Sequence, residues 1–180
     1  MSEEGGAPAA EAFTLPEEGE HEPREIAGRL VATDDEFADL RTGEAMILFL
    51  MRAEPRVKNG RRELGSMSMP NFQGSFGAVG TWLLAKYCGG ELPDYVMILD
   101  TEFWRQATPH QREALVFHEL MHATIAEDRH GEKRFTAEGR PVWGIRGHDI
   151  EEFNLVARRY GRWLGDIEGF LAALREGGHL

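Results

Sequence analysis

Apolar positions divide the chain into stretches of different period. Between Asp35 and Met51, the residues Phe37, Leu40, Ile47, Leu48 and Met51 fall near helical spacing. This predicts a helix with Asp34 or Asp35 as N-cap, weakened by Gly43 and ended by Glu54-Pro55. Residues 56–80 are rich in Gly, Ser and Met and show no clear period, so Glu63 to Met69 suits at most an irregular strand. Thr81 to Tyr87 has helical composition and stops at Gly89-Gly90. Tyr95-Val96-Met97-Ile98-Leu99-Asp100 is a compact apolar run behind Leu92-Pro93-Asp94, which predicts a buried strand.

Thr108-Pro109-His110-Gln111 is a helix start, with Thr as N-cap, Pro at the first helical position and Gln at the third. That helix is expected to run to about Glu127. Gly131, Gly139-Arg140-Pro141, Gly144 and Gly147 make residues 128–147 a loop, with a possible hairpin around Glu138-Gly139-Arg140. Asp149 opens a last long helix whose Phe153, Val156, Ala157, Tyr160, Trp163 and Leu164 form an amphipathic stripe. Gly161 and Gly165 interrupt it, and a shorter piece, Ile167 to Leu174, follows. Alternating helices and short strands without internal repeats predict an α+β domain.

Residues 1–25 depart from this patterning. They hold eight Glu and one Arg, with Phe13 and Leu15 as large apolar side chains, too little to offset the entropy of ordering. The expectation is a disordered acidic tail over 1–25 and one domain over 26–180. The tail carries −7 of the net charge of −11, so the domain is close to neutral. The acidic balance disfavours nucleic acid, which needs clustered Lys and Arg, and adsorption to an anionic membrane. An acidic N-terminus without an apolar segment, and a longest apolar run of Ala45 to Met51, predict a cytoplasmic protein with no membrane contact. A single cysteine, Cys88, excludes a disulfide framework or a thiolate zinc site within one chain and is read as a buried small hydrophobe.

The histidines carry the chemistry. His118-Glu119-Leu120-Met121-His122 is an HExxH motif inside the capped helix. Residues i and i+4 project about 40° apart on a helix, so both imidazoles can reach one Zn²⁺. Glu119 lies about 100° from His118, beside the metal, where it can act as general base. Val116, Leu120, Ala123 and Thr124 cover the opposite arc.

A catalytic zinc takes a third protein ligand and leaves one position open. Candidates downstream are His130, His148, Glu151, Glu152 and His179. His179 lies at a Gly-Gly-His-Leu terminus and His130 in a loop, so neither is favoured. His148 stands at the mouth of the last helix and is preferred; Glu151 or Glu152 is the alternative, although Glu152 suits a capping role with Asp149. Asp149 is read chiefly as a cap and secondarily as a partner for a ligand imidazole. Tyr160, Arg146 or His130 is a weaker candidate for stabilising an oxyanion, and Tyr160 fits the core better. The strand Tyr95–Asp100 is either an edge strand open to extended substrate or an interior one.

Three segments together resemble the phage metallopeptidase family: Tyr95 to Trp104, Gln111-Arg112-Glu113-Ala114-Leu115-Val116-Phe117 leading into the HExxH, and Gly147-His148-Asp149-Ile150-Glu151-Glu152-Phe153. The resemblance covers about residues 90–163 and extends weakly back to about residue 35. It implies a small zincin-like metallopeptidase domain, with the active-site helix packed on a short β-sheet and a C-terminal helix. It also implies Zn²⁺ as cofactor, a protein or peptide substrate and, for a phage-encoded chain, the host cytoplasm. A looser likeness links the chain to SprT-like and WLM peptidases, whose third ligand is a His opening a His-x-x-x-Phe helix. Here Phe153 stands five positions after His148, not four, which keeps a Glu ligand in play.

The leading expectation is a zinc metalloendopeptidase using His118, His122 and His148 as ligands and Glu119 as general base. The alternative is a zinc-stabilised phage protein that binds a host factor with little or no turnover. A peptidase of the type that cleaves immunity repressors would instead bring Glu151 or Glu152 to the metal. The sequence leaves the oligomeric state open.

Overall fold

Backbone pairing in the centre of the chain organises everything that positions the histidines. The structure, a computed structural model, describes residues 12–19, 22–58, 60–148 and 154–176. Strand β1 (Phe13–Thr14) precedes helix α1 (Pro23–Thr33), a 3-10 turn at Asp35–Phe37 and the short helix α2 (Ala38–Thr42). Strand β2 (Ile47–Arg52), a hairpin of β3 (Arg56–Lys58) and β4 (Arg61–Glu63), and β5 (Gly65–Ser68) follow. Helix α3 (Gly77–Tyr87) leads to β6 (Tyr95–Asp100), α4 (Thr101–Gln106) and α5 (Pro109–His122). Strands β7 (Ala123–Ile125) and β8 (Trp143–Ile145) form a second hairpin, and α6 (Asn154–Tyr160) and α7 (Gly165–Glu176) complete the order. The α+β class is as expected.

The main sheet has the order β1-β2-β6-β5. β6 runs parallel to β2, in register from Ile47↔Tyr95 to Arg52↔Asp100, and antiparallel to β5, from Gly65↔Leu99 to Ser68↔Val96. β6 is therefore interior, and β5 is the edge strand. Tyr95, Met97 and Leu99 are wholly buried and join Phe49, Met51 and Met67 in a core with α1 (Ile26, Ala27, Leu30) and α5 (Leu115, Val116, Phe117, Leu120). At the far end of β6, Asp100 is buried, caps α4 through the Phe103 N–H, and takes two hydrogen bonds from Arg62.

The helix expected from Asp35 to Met51 is really a turn, a five-residue helix and a strand. Asp34 caps the turn by accepting the Glu36 N–H, and Phe37 and Leu40 bury as helical spacing demands. Gly43 and Glu44, the latter at φ 51°, then end the helix. Ile47 to Met51 is an unbroken apolar run of the kind a strand inside a parallel pair requires. Gly43 also admits Trp143: a Cβ there would lie 2.6 Å from the indole ring.

The expected tail boundary also shifts. Phe13–Thr14 adds a strand to the edge of β2, Pro16 is buried, and Pro23 opens α1 as its first residue. A bare sheet edge recruits backbone whatever the side chains, which composition alone does not register. Residues 1–11 lie outside the described residues.

Candidate metal centre

The α5 start forms as the sequence predicts. Thr108 accepts the Gln111 N–H and Gln111 Oε1 accepts the Thr108 N–H, a reciprocal capping box. The helix stops at His122, not Glu127, because Ala123-Thr124-Ile125 passes directly into β7. β7 pairs with β8 from Ala123↔Ile145 to Ile125↔Trp143. Tyr95 Oη pins this hairpin to β6: it lies 2.9 Å from the carbonyls of Thr124 and Gly144 and accepts the Thr124 N–H. The hairpin returns the chain to the end of α5, where the Arg146 N–H donates to the His122 carbonyl.

This return brings His148 to the motif. His148 Nε2 lies 3.1 Å from His118 Nε2, and one ring nitrogen from each of His118, His122 and His148 lies within 4.8 Å of the others. His122 and His148 have ring centroids 4.5 Å apart. A tetrahedral ion with nitrogen ligands at about 2.0–2.1 Å needs ligand nitrogens roughly 3.3 Å apart, so three converging imidazoles suit a divalent ion.

The supporting contacts orient these rings. His122 Nδ1 donates to the Arg146 carbonyl at 2.7 Å, which leaves Nε2 for the cluster. Burial pushes His122 down to about 4, against the pull of that hydrogen bond, and the positive charge of His118, His148 and Arg146 adds to the depression. His122 is thus neutral at physiological pH, the form that binds metal. Trp163, a buried member of the apolar stripe, has its ring centroid 6.4 Å from that of His118.

Glu119 is buried at 3 % exposure and lies against the first residue of the edge strand. A Cβ on Gly65 would fall 2.6 Å from Glu119 Oε1. Only a bare Cα leaves room for the carboxylate, a role invisible in a stretch of sequence without periodicity.

The other described candidates make the following contacts. Arg146 folds its guanidinium back on the end of α5, donating from Nε to the Met121 carbonyl. Tyr160 donates to Glu113 Oε1 and stacks edge-on against Phe117, a core role as expected. His130 sits on the exposed turn of the arm between β7 and β8, accepting from Arg129. Asp149, Glu151, Glu152 and His179 lie outside the described residues.

A paired-histidine helix joined by a third histidine from just beyond a hairpin, on a small α+β sheet, defines a candidate metal centre of the metallopeptidase kind. The sequence family described as Putative phage metallopeptidase matches residues 17–175, and the chain belongs to that family. Neither a curated protein nor a solved structure matches it significantly. No helix among the described residues is long and apolar enough to cross a membrane.

Proposed function

We propose that this protein is a zinc-dependent endopeptidase whose metal is held by His118, His122 and His148, with Glu119 as general base. The observation that carries the reading is the convergence of three imidazole nitrogens, two from α5 and one from beyond β8. Neutral nitrogen donors without a thiolate suit zinc, which in catalytic sites keeps one position open. When bound, such an ion polarises a carbonyl oxygen and makes water more acidic.

The chain's own residues supply the rest. Glu119 accepts a proton from the attacking water and returns it to the departing amine nitrogen. Burial against Gly65 keeps that carboxylate in one place. β5 ends the sheet, and no described strand pairs with its outer side, so an extended peptide can add there by backbone hydrogen bonds.

Glu119→Gln tests the assignment. Cleavage of an unfolded protein substrate should fall by about 10²- to 10⁴-fold with bound zinc unchanged. Equal cleavage by the variant would refute the role. Wild-type protein that holds zinc yet cleaves nothing in a broad peptide library would favour the reading in which the fold binds a host factor without turnover.

A further inference from the structure

We propose that two copies of this chain associate through α3, with Val79, Leu83 and Tyr87 of each helix packed against those of the other. Helix α3 has 11 residues and none of them is buried. A short helix that is apolar on nearly every side is normally covered. On one side Phe72 lies over Gly80, where a Cβ would meet the ring at 2.5 Å, and Leu84 and Ala85 are half-buried. On the outer side Val79, Leu83 and Tyr87 recur every fourth residue with Trp82 beside them, at 45, 53, 60 and 58 % exposure. Phe76, just before the helix, is 76 % exposed.

Phe76, Val79, Trp82, Leu83 and Tyr87 together offer roughly 650 Å² of free surface, so two copies would bury about 1,300 Å², within the range of a stable complex. The largest apolar patch of a typical monomer is about 300–600 Å². Composition agrees. From Ser66 to Gly90 Lys86 is the single charged residue, and its ammonium lies over the Trp82 ring at 5.2 Å. Depletion of charge with enrichment of Trp, Tyr, Phe and Met marks the centre of an interface.

A second copy suits the patch better than the other occupants. Residues 1–11, 20–21, 59, 149–153 and 177–180 contain Met1, Ile150, Phe153 and Leu180 as their large apolar side chains, too few to cover it. A membrane-surface helix sets its apolar face between lysines and arginines, and α3 has one. Self-association in solution is most often two-fold, which places Leu83, midway along the stripe, against its own copy.

Sedimentation equilibrium of the full chain from about 1 to 100 µM tests this. The expected mass is twice 20.3 kDa. Leu83→Glu brings two carboxylates together on the axis and should weaken association at least about 100-fold, with an unchanged far-ultraviolet dichroism spectrum. Trp82→Ala, a milder truncation, should shift the same equilibrium if the first variant folds poorly. A wild-type protein that stays at 20.3 kDa at the highest concentration, whether or not it sediments with lipid vesicles, overturns the proposal. So does a dimer that both variants leave intact.

Discussion

Gly65→Ala probes the general base proposed at Glu119 without altering any histidine. The new Cβ would lie 2.6 Å from Glu119 Oε1, 3.0 Å from Cδ and 3.1 Å from Cγ, whereas ordinary contact begins at 3.4 Å. The carboxylate must retreat by roughly 0.8 Å, or the strand must yield by as much, in an interior that is closely packed. Gly65 does not occupy the left-handed region, so the backbone itself accepts alanine. Displacing a catalytic group by this much is expected to cost about 10- to 100-fold in kcat, or about 1.4–2.7 kcal/mol of transition-state stabilisation. Peptide hydrolysis should therefore show reduced kcat with little change in KM, while bound zinc by atomic absorption stays at the wild-type level. Crowding should lower stability in a urea melt by about 1–3 kcal/mol. Glu119→Asp, shorter by one methylene, should be less harmful in the Gly65→Ala background than alone, a coupling that a double-mutant cycle resolves. Gly65→Ala protein with wild-type kcat would refute the placement of Glu119 against β5.

Three further outcomes follow from other contacts. His148→Ala should weaken zinc at least about 100-fold in a chelator competition; retention of full affinity would move the third ligand to Glu151 or Glu152. Burial pushes the Tyr95 phenol up to about 12, above its unfolded value of 10.0, although the Thr124 and Gly144 backbone bonds pull it down. Its contribution to stability is then complete below pH 10 and lost as pH rises towards 12. Tyr95→Phe should cost about 1–3 kcal/mol at neutral pH and flatten this alkaline limb in urea melts. Burial raises Asp100, but the Arg62 hydrogen bonds and the Phe103 N–H outweigh it and hold the carboxyl below its usual 3.8. That stability is present above pH 3.8 and lost as pH falls through the lower value. Arg62→Ala should cost about 1–2 kcal/mol, since Arg62 is a third exposed and screened by water, and should shift acid unfolding to higher pH.

Much of the site was legible because its signals are local. The α5 cap depends on residues three apart, and the HExxH pair on residues four apart, distances over which a helix leaves no freedom. His148 is one preference among several in sequence, and its place beside His118 and His122 depends on the β7–β8 return, which is built from tertiary contacts such as Tyr95 Oη. The contiguous run Ile47 to Met51 satisfies helix and strand alike, and its pairing with β6 settles it. Gly65 conveyed nothing in sequence, since its function is the absence of an atom opposite Glu119. Arg146 shows a charge suited to an oxyanion, whereas its backbone N–H and carbonyl at His122 depend on tertiary structure.

The direct passage of α5 into β7 has a thermodynamic consequence. Two of the clustered histidines are neighbours on a helix, while the third arrives after a 24-residue excursion closed by His122 and Arg146. An ion that engages all three therefore reports on closure of that excursion as well as on the ligands. Loosening the hairpin at a distance, through Tyr95, Trp143 or Gly43, would lower apparent metal affinity by the fraction of molecules left open, with every ligand intact. Conversely, metal in solution would act as a ligand for the closed arm, so that the concentration of free metal ion would set how much of the protein is assembled.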